Sequence, residues 1–272
     1  MNHLIPSFVR RAKQDEFLLE TNNALQKTAQ QIVGKHKIQA AEPVELVEYD
    51  TDAEIKVVAA LLYCNTKLPM RQLKDIAKHM TQEQRLQIIE EQVKRRRHRR
   101  DKPGRAYEHA YYTFDILGDY GIYRDLQRHR ILTQERQDLN VIHGYETPQE
   151  LAEAGFDTEY HECMMAAADA YHTIAKKYPK EAQYVVPFAY RIRWYMKMNL
   201  REAFHFCELR SGQQGHPGYR KIAQLMAKKI ALVHPTLAAA MNYVDYNDYK
   251  LERINAEMKK EEKREKWTNS SA

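Results

Sequence analysis

Tyr190-Arg191-Ile192-Arg193-Trp194-Tyr195-Met196-Lys197-Met198, followed at once by Asn199-Leu200-Arg201-Glu202-Ala203-Phe204-His205-Phe206-Cys207-Glu208-Leu209-Arg210, changes its period at Asn199. Before that residue every second position is apolar. Tyr190, Ile192, Trp194, Met196 and Met198 fall on one face, which predicts a half-buried strand. After it, Ala203, Phe206 and Cys207 recur at helical spacing, while Arg201, His205 and Glu208 share another face. Asn199 stands where a side-chain oxygen can cap the first turn of a helix from Leu200 to Arg210. Arg210 continues the apolar face. A charge at the end of such a face needs a partner, and an anionic ligand is one candidate.

A second cationic stretch lies upstream, Asp125-Leu126-Gln127-Arg128-His129-Arg130. It follows Glu108 to Leu117, read as a strand with Ala110, Tyr112, Phe114 and Ile116 on one face and Glu108 at its rim. A carboxylate there is either a paired core-edge charge or a ligand contact. Gly118 and Gly121 are expected to break that strand, and Tyr123 to Arg130 reads as a short helix. A helix continuing through the triplet would set Arg128 and Arg130 about 200° apart, unable to grip one ligand. An extended backbone would place both on one side and turn His129 to the other. A shared ligand therefore requires the helix to end at the triplet. Guanidinium groups match phosphates and stack on aromatic faces, so the two stretches together could enclose an anion with a planar ring.

Glu108-His109, Arg128-His129-Arg130, Asn199-x-Arg201, His205-Phe206 and Leu209-Arg210 together resemble the flavin-dependent (alternative) thymidylate synthases, over roughly residues 44 to 234. The resemblance implies a helix-rich α+β fold, a mixed sheet with helices against it, assembled as a homotetramer with active sites between subunits. It implies FAD as cofactor, NADPH and methylenetetrahydrofolate as co-substrates, and reductive methylation of dUMP to dTMP. By position, Arg128, His129 and Arg130 would hold FAD around its phosphates and ring. Asn199, Arg201 and His205 would contact the isoalloxazine or ribityl chain. Glu108 would be a flavin contact at the subunit boundary, and Arg210 would reach toward the pyrimidine. The nucleotide side departs from the family. Thr133 could replace its first Ser, but Asp138 stands for a dUMP-contacting Ser, Asn140 and Gln183 for two phosphate-binding arginines, and Asp125 for a Gln. Each lost charge-assisted contact is worth roughly 1.5–3 kcal/mol, so two would weaken phosphate binding by about two to four decades. A catalytically silent member of the fold, acting with a partner chain, is the alternative.

Composition sets the frame. The 272 residues are 43% hydrophobic, with only nine Gly and nine Pro, which suits an ordered, helix-rich protein. Eighteen Tyr are available for pockets and interfaces. A net charge of +6 and a pI near 9.0 suit anionic partners. Cys64, Cys163 and Cys207 are too scattered for a metal or disulfide pattern. No apolar run approaches about 18 residues, so a cytoplasmic protein without a membrane span is expected. Three regions follow: a helical arm at 1–42 whose last helix ends at Gly34, the family-like domain at 43–235, and a charged helix or tail at 236–272. Within the domain, 43–49 alternates as a strand, Thr51-Asp52 can cap a helix, 69–93 holds one or two helices, and 158–178 carries an apolar stripe. Lys94-Arg95-Arg96-Arg97-His98-Arg99-Arg100 reads as a solvated basic helix end. A nucleic-acid patch, flanked by Tyr107, Tyr111 and Tyr112, is its less favoured reading.

Overall fold

Pro6 in a first turn and Asp15 as a cap start two helices near the N-terminal end, α1 (Pro6–Arg11) and α2 (Glu16–Val33). The Asp15 carboxylate accepts from Leu18 N at 2.9 Å, and Gly34 is the C-cap as expected. Neither helix buries a residue, and Phe17, Leu25 and Ile32 stand exposed. They belong to one unit, Met1–Ala40; the second is Ala41–Ala272. The structure is a computed structural model that describes residues 3–12, 15–249, 258, 261 and 262.

The second unit begins with β1 (Val44–Tyr49), then α3 (Ala53–Tyr63), α4 (Met70–His79) and α5 (Gln82–Val93). Asp52 is the N-cap residue of α3, but its carboxylate pairs with Lys56 at 2.8 Å instead of capping. Next come β2 (Tyr111–Asp119), α6 (Tyr120–Leu126), β3 (Thr133–Arg136), α7 (Gln149–Glu153) and α8 (Asp157–Ala175). The last elements are β4 (Arg191–Asn199), α9 (Leu200–Arg210), α10 (Pro217–Val233) and α11 (Pro235–Ala239). The Lys/Glu-rich 250–266 lies almost wholly outside the described residues.

Four strands form one sheet in the order β1-β2-β4-β3, and each pairing is antiparallel, where the resemblance implied a mixed sheet. The alternation read from sequence holds. Tyr112, Phe114 and Ile116 of β2 and Ile192, Trp194, Met196 and Met198 of β4 are all buried on one face. Helices α9, α10 and α6 belong to the core behind it, through Phe204, Phe206, Ile222, Met226 and Leu126. Burying large aliphatic and aromatic side chains at roughly 1.5–3 kcal/mol each drives this assembly.

Several expectations need correction. The strand predicted from Glu108 starts at Tyr111, because Arg105–His109 forms a 3-10 turn. The tight turn brings Tyr107 and Ala110, three apart, inward together, and Tyr107 packs edge-on to Phe204 at 5.3 Å. Glu108 is thereby removed from the β2 face. Gly118 does not break β2; it lies within it. A Cβ there would sit 2.9 Å from Ile122 Cδ1 and 3.2 Å from Trp194, so glycine admits a close approach. Thr133-Gln134-Glu135-Arg136 is polar throughout and becomes a strand only by pairing with β4. The apolar stripe of α8 exists, but Met164 is the one buried residue in that helix.

The basic run is not a uniform solvated end. Its third residue, Arg96, has a buried side chain, 3% exposed beside a Glu208 side chain that is 2% exposed. The two form a bidentate pair at 2.9 and 2.6 Å, with Arg96 Nε on Asp101 O at 2.6 Å and the guanidinium between Phe204 and Tyr243. Lys94 and Arg95 pair with Glu91, and Arg97 and His98 with Asp101. Apart from Arg96 the run is exposed, so it is a solvated surface with one buried member. Glu208, on the helical face it shares with Arg201 and His205, is taken up by Arg96.

Candidate functional site

Helix α6 ends at Leu126, and Gln127 caps it with its N–H on Tyr123 O. The helix therefore stops before the triplet, as a shared ligand requires. Across from it, Asn199 Oδ1 accepts from Glu202 N at 2.9 Å and starts α9. These two ends border a cleft of about 700 Å³. All eight residues singled out from sequence line it: Glu108, Arg128, His129, Arg130, Asn199, Arg201, His205 and Arg210. Sequence reading missed Lys102, Arg105, Ile131 and Glu202, which line it too, as does Leu209 of the Leu209-Arg210 motif. Glu202 sits three residues after its cap, a position that ordinarily signals a capping box and not a site.

The side chains are held by specific contacts. Arg201 donates from Nε to Pro103 O at 2.9 Å and from Nη1 to Glu108 at 3.3 Å. Arg105 grips the same carboxylate at 3.1–3.2 Å. The Arg105 contact, aided by Arg201, holds the Glu108 carboxyl below the usual carboxylate range. His129 is buried, with Nδ1 2.9 Å from Glu202 Oε1. Arg210 donates from Nε to His129 Nε2 at 2.9 Å and from Nη2 to Asp125 O at 3.1 Å. Arg128 pairs with Asp125. The His129 ring lies 4.8 Å from Phe206 and 5.5 Å from His205. Burial pushes the His205 imidazole below its ordinary value, so it is neutral near pH 7.

Six cationic side chains (Lys102, Arg105, Arg128, Arg130, Arg201 and Arg210) face this cleft against the two carboxylates Glu108 and Glu202. The surplus favours an anion. His129, Glu202 and His205 could offer three metal-ligand atoms within 4.8 Å of one another. Both ring nitrogens of His129 are already engaged, however, and a guanidinium touches one of them, which opposes a cation.

The positions assigned to the nucleotide form a separate clasp. Lys180 Nζ donates to Asp138 at 2.8 Å, and Leu139 N donates to Gln183 Oε1 at 2.8 Å. Asn140 turns back locally, on Asp138 O and Ile142 N. None of the three lines the cleft.

The family model described as "Thymidylate synthase complementing protein" matches residues 45–236. The chain belongs to that family. The match has nearly the bounds of the resemblance read from the motifs, and both ends of the cleft fall inside it. A protein of Chlamydia pneumoniae named only as a UPF0159 protein is 40% identical over 266 residues, covering 95% of this chain and 50% of its own length. A UPF0159 protein of Chlamydia muridarum is 39% identical over 265 residues, with 94% and 50% covered. The chain thus spans about half the length of these curated relatives. A protein named "Flavin-dependent thymidylate synthase" in Geobacter sulfurreducens is 31% identical over 140 residues, 48% of this chain and 60% of that one. Among the described residues no helix is long and apolar enough to cross a membrane.

Proposed function

We propose that this member of the thymidylate synthase complementing family binds FAD in the cleft between the triplet and α9. The observation that carries the reading is the convergence of Arg128-His129-Arg130 with Asn199, Arg201 and His205 around one cation-rich space. Its volume lies within the roughly 300–1,000 Å³ of small-molecule sites, and its guanidinium forks suit a pyrophosphate and a planar ring. Arg128 and Arg130 would bind phosphates, Asn199, Arg201 and His205 the ribityl chain and ring, and Glu108 the rim. Arg210 would face the pyrimidine. FAD, once bound, would supply one-carbon and hydride chemistry toward dUMP or another pyrimidine nucleotide, with NADPH and methylenetetrahydrofolate as co-substrates. The chain's own part would be orientation and charge. A homotetramer that completes the cleft between subunits is the proposed assembly, supported by the half-exposed stripe of α8.

A second reading is favoured by the clasp of Asp138 with Lys180 and of Gln183 with the Leu139 amide. There the residues that would meet a phosphate are already paired within the chain. A flavin-binding member that turns over no dUMP fits that observation.

Visible absorbance of the purified chain, followed by titration with FAD and then dUMP, tests both. We expect a flavin spectrum on FAD addition and a loss of about 100-fold in affinity in His129→Ala/Arg201→Ala, which removes the Arg201 guanidinium and the imidazole that supports Arg210. Unchanged FAD affinity in that double variant overturns the site assignment. A spectrum that responds to dUMP supports the synthase reading, and one that does not supports the second.

A further inference from the structure

An arginine Nε–H can only donate. Arg210 Nε lies 2.9 Å from His129 Nε2, so that ring nitrogen accepts. The imidazole proton must then sit on Nδ1, which faces Glu202 Oε1 at 2.9 Å. A neutral ring with its proton toward the carboxylate is the arrangement that satisfies both contacts.

Neighbouring contacts leave little else free. Phe206 and His205 flank the imidazole at 4.8 and 5.5 Å and hinder its rotation. The His129 N–H is on Leu126 O at 3.1 Å, which anchors the backbone. Glu202 occupies the third position of α9, from which a glutamate commonly reaches back to the helix cap. Here the Asn199 side chain takes the Glu202 N–H, and the Glu202 side chain turns to His129 instead. What remains variable is the tautomer. The opposite one would set Nε2–H against the Arg210 Nε–H, donor against donor.

We propose that Glu202 is a positioning residue: it holds His129 in the Nδ1–H tautomer and thereby orients the Arg210 guanidinium at the cleft. The assignment deepens the flavin-site reading but does not need it, because every contact of the relay is between residues of the chain itself. Glu202 touches no ligand in this scheme. It acts through His129, as a carboxylate that orients an imidazole generally does.

Long-range proton–nitrogen correlation spectra of the full chain, with histidine labelled in nitrogen-15, test it without ligand. The His129 signals are identified by their loss in His129→Gln. We expect a protonated Nδ1 and an unprotonated Nε2 in the wild type. Glu202→Gln should keep that pattern, since its carbonyl oxygen still accepts. Glu202→Ala should shift it toward Nε2–H and speed solvent exchange of the Arg210 Nε–H. FAD affinity, followed by flavin fluorescence, should fall about tenfold in Glu202→Ala and stay near wild type in Glu202→Gln, the size of one orienting hydrogen bond. A wild-type His129 protonated at Nε2 overturns the proposal, as does a Glu202→Ala spectrum equal to wild type. Should Glu202→Ala not fold, the wild-type and Glu202→Gln spectra decide. If the tautomer is as stated and no variant binds FAD, the flavin reading fails and the relay stands.

Discussion

Arg96 and Arg210 are both guanidinium groups drawn into the protein, yet they do opposite things. Arg210 reaches the cleft through His129 and Asp125. Arg96 is sealed in the core against Glu208, with backbone carbonyls taking its other donors. Removing one partner of a buried pair leaves the other charge uncompensated, at about 3–5 kcal/mol. Arg96→Ala should therefore lower the free energy of unfolding by that amount in urea titration. Arg96→Met with Glu208→Leu should recover most of it, and a double variant no better than the single would refute the pairing argument. Gly118 makes a second residue-scale case. A methyl there must push on Ile122 and Trp194, and overpacking typically costs about 1–3 kcal/mol. Gly118→Ala should show that loss, and a stability within 0.5 kcal/mol of wild type, the usual scatter of neutral substitutions, would mean the core yields.

At the scale of elements, β4 and α9 carry the site. The strand buries one face, and Asn199 turns its end directly into a helix, so Arg201 and His205 enter the cleft from the first turns of α9. Asn199→Ala removes the Asn199 Oδ1 contact to Glu202 N and should cost about 1 kcal/mol, roughly 2–4 °C in melting temperature for a domain of this size. Asn199→Asp should keep that stability. Equal melting of all three proteins would show that the cap is not holding α9. Both elements were legible in the sequence because their periods differ sharply and the change falls at one residue. The 3-10 turn at Arg105–His109 and the strand β3 were not. The first was hidden because Glu108 and Ala110 keep the alternation of Tyr112, Phe114 and Ile116 that follows. The second has no apolar residue, so its identity comes wholly from the edge of β4.

Across the whole molecule, three histidines report on pH together. Burial pushes His143, His205 and His234 below their ordinary value, and His234 also meets the Tyr112 hydroxyl at 2.9 Å. The native state then binds fewer protons than the unfolded chain just below about pH 6.5. Stability should thus be full above that value and fall as pH drops toward 5. Chemical denaturation at pH 7, 6 and 5 checks this, with a shallower decline expected in His234→Gln; a rise in stability on acidification would reverse the sign of the argument. The same long-range contacts mark where sequence reading stops. The sequence by itself determined the main strands and helices, the end of α6 at the triplet as a condition for a shared ligand, and the motifs that carry the family. Only the tertiary structure decided which charges face the cleft and which are consumed in the core, that the pairings are antiparallel, and that Glu202 stands behind His129. Periodicity reports a residue's side of its own element. What lies opposite, as Glu208 lies opposite Arg96 and Glu202 opposite His129, depends on how distant elements pack.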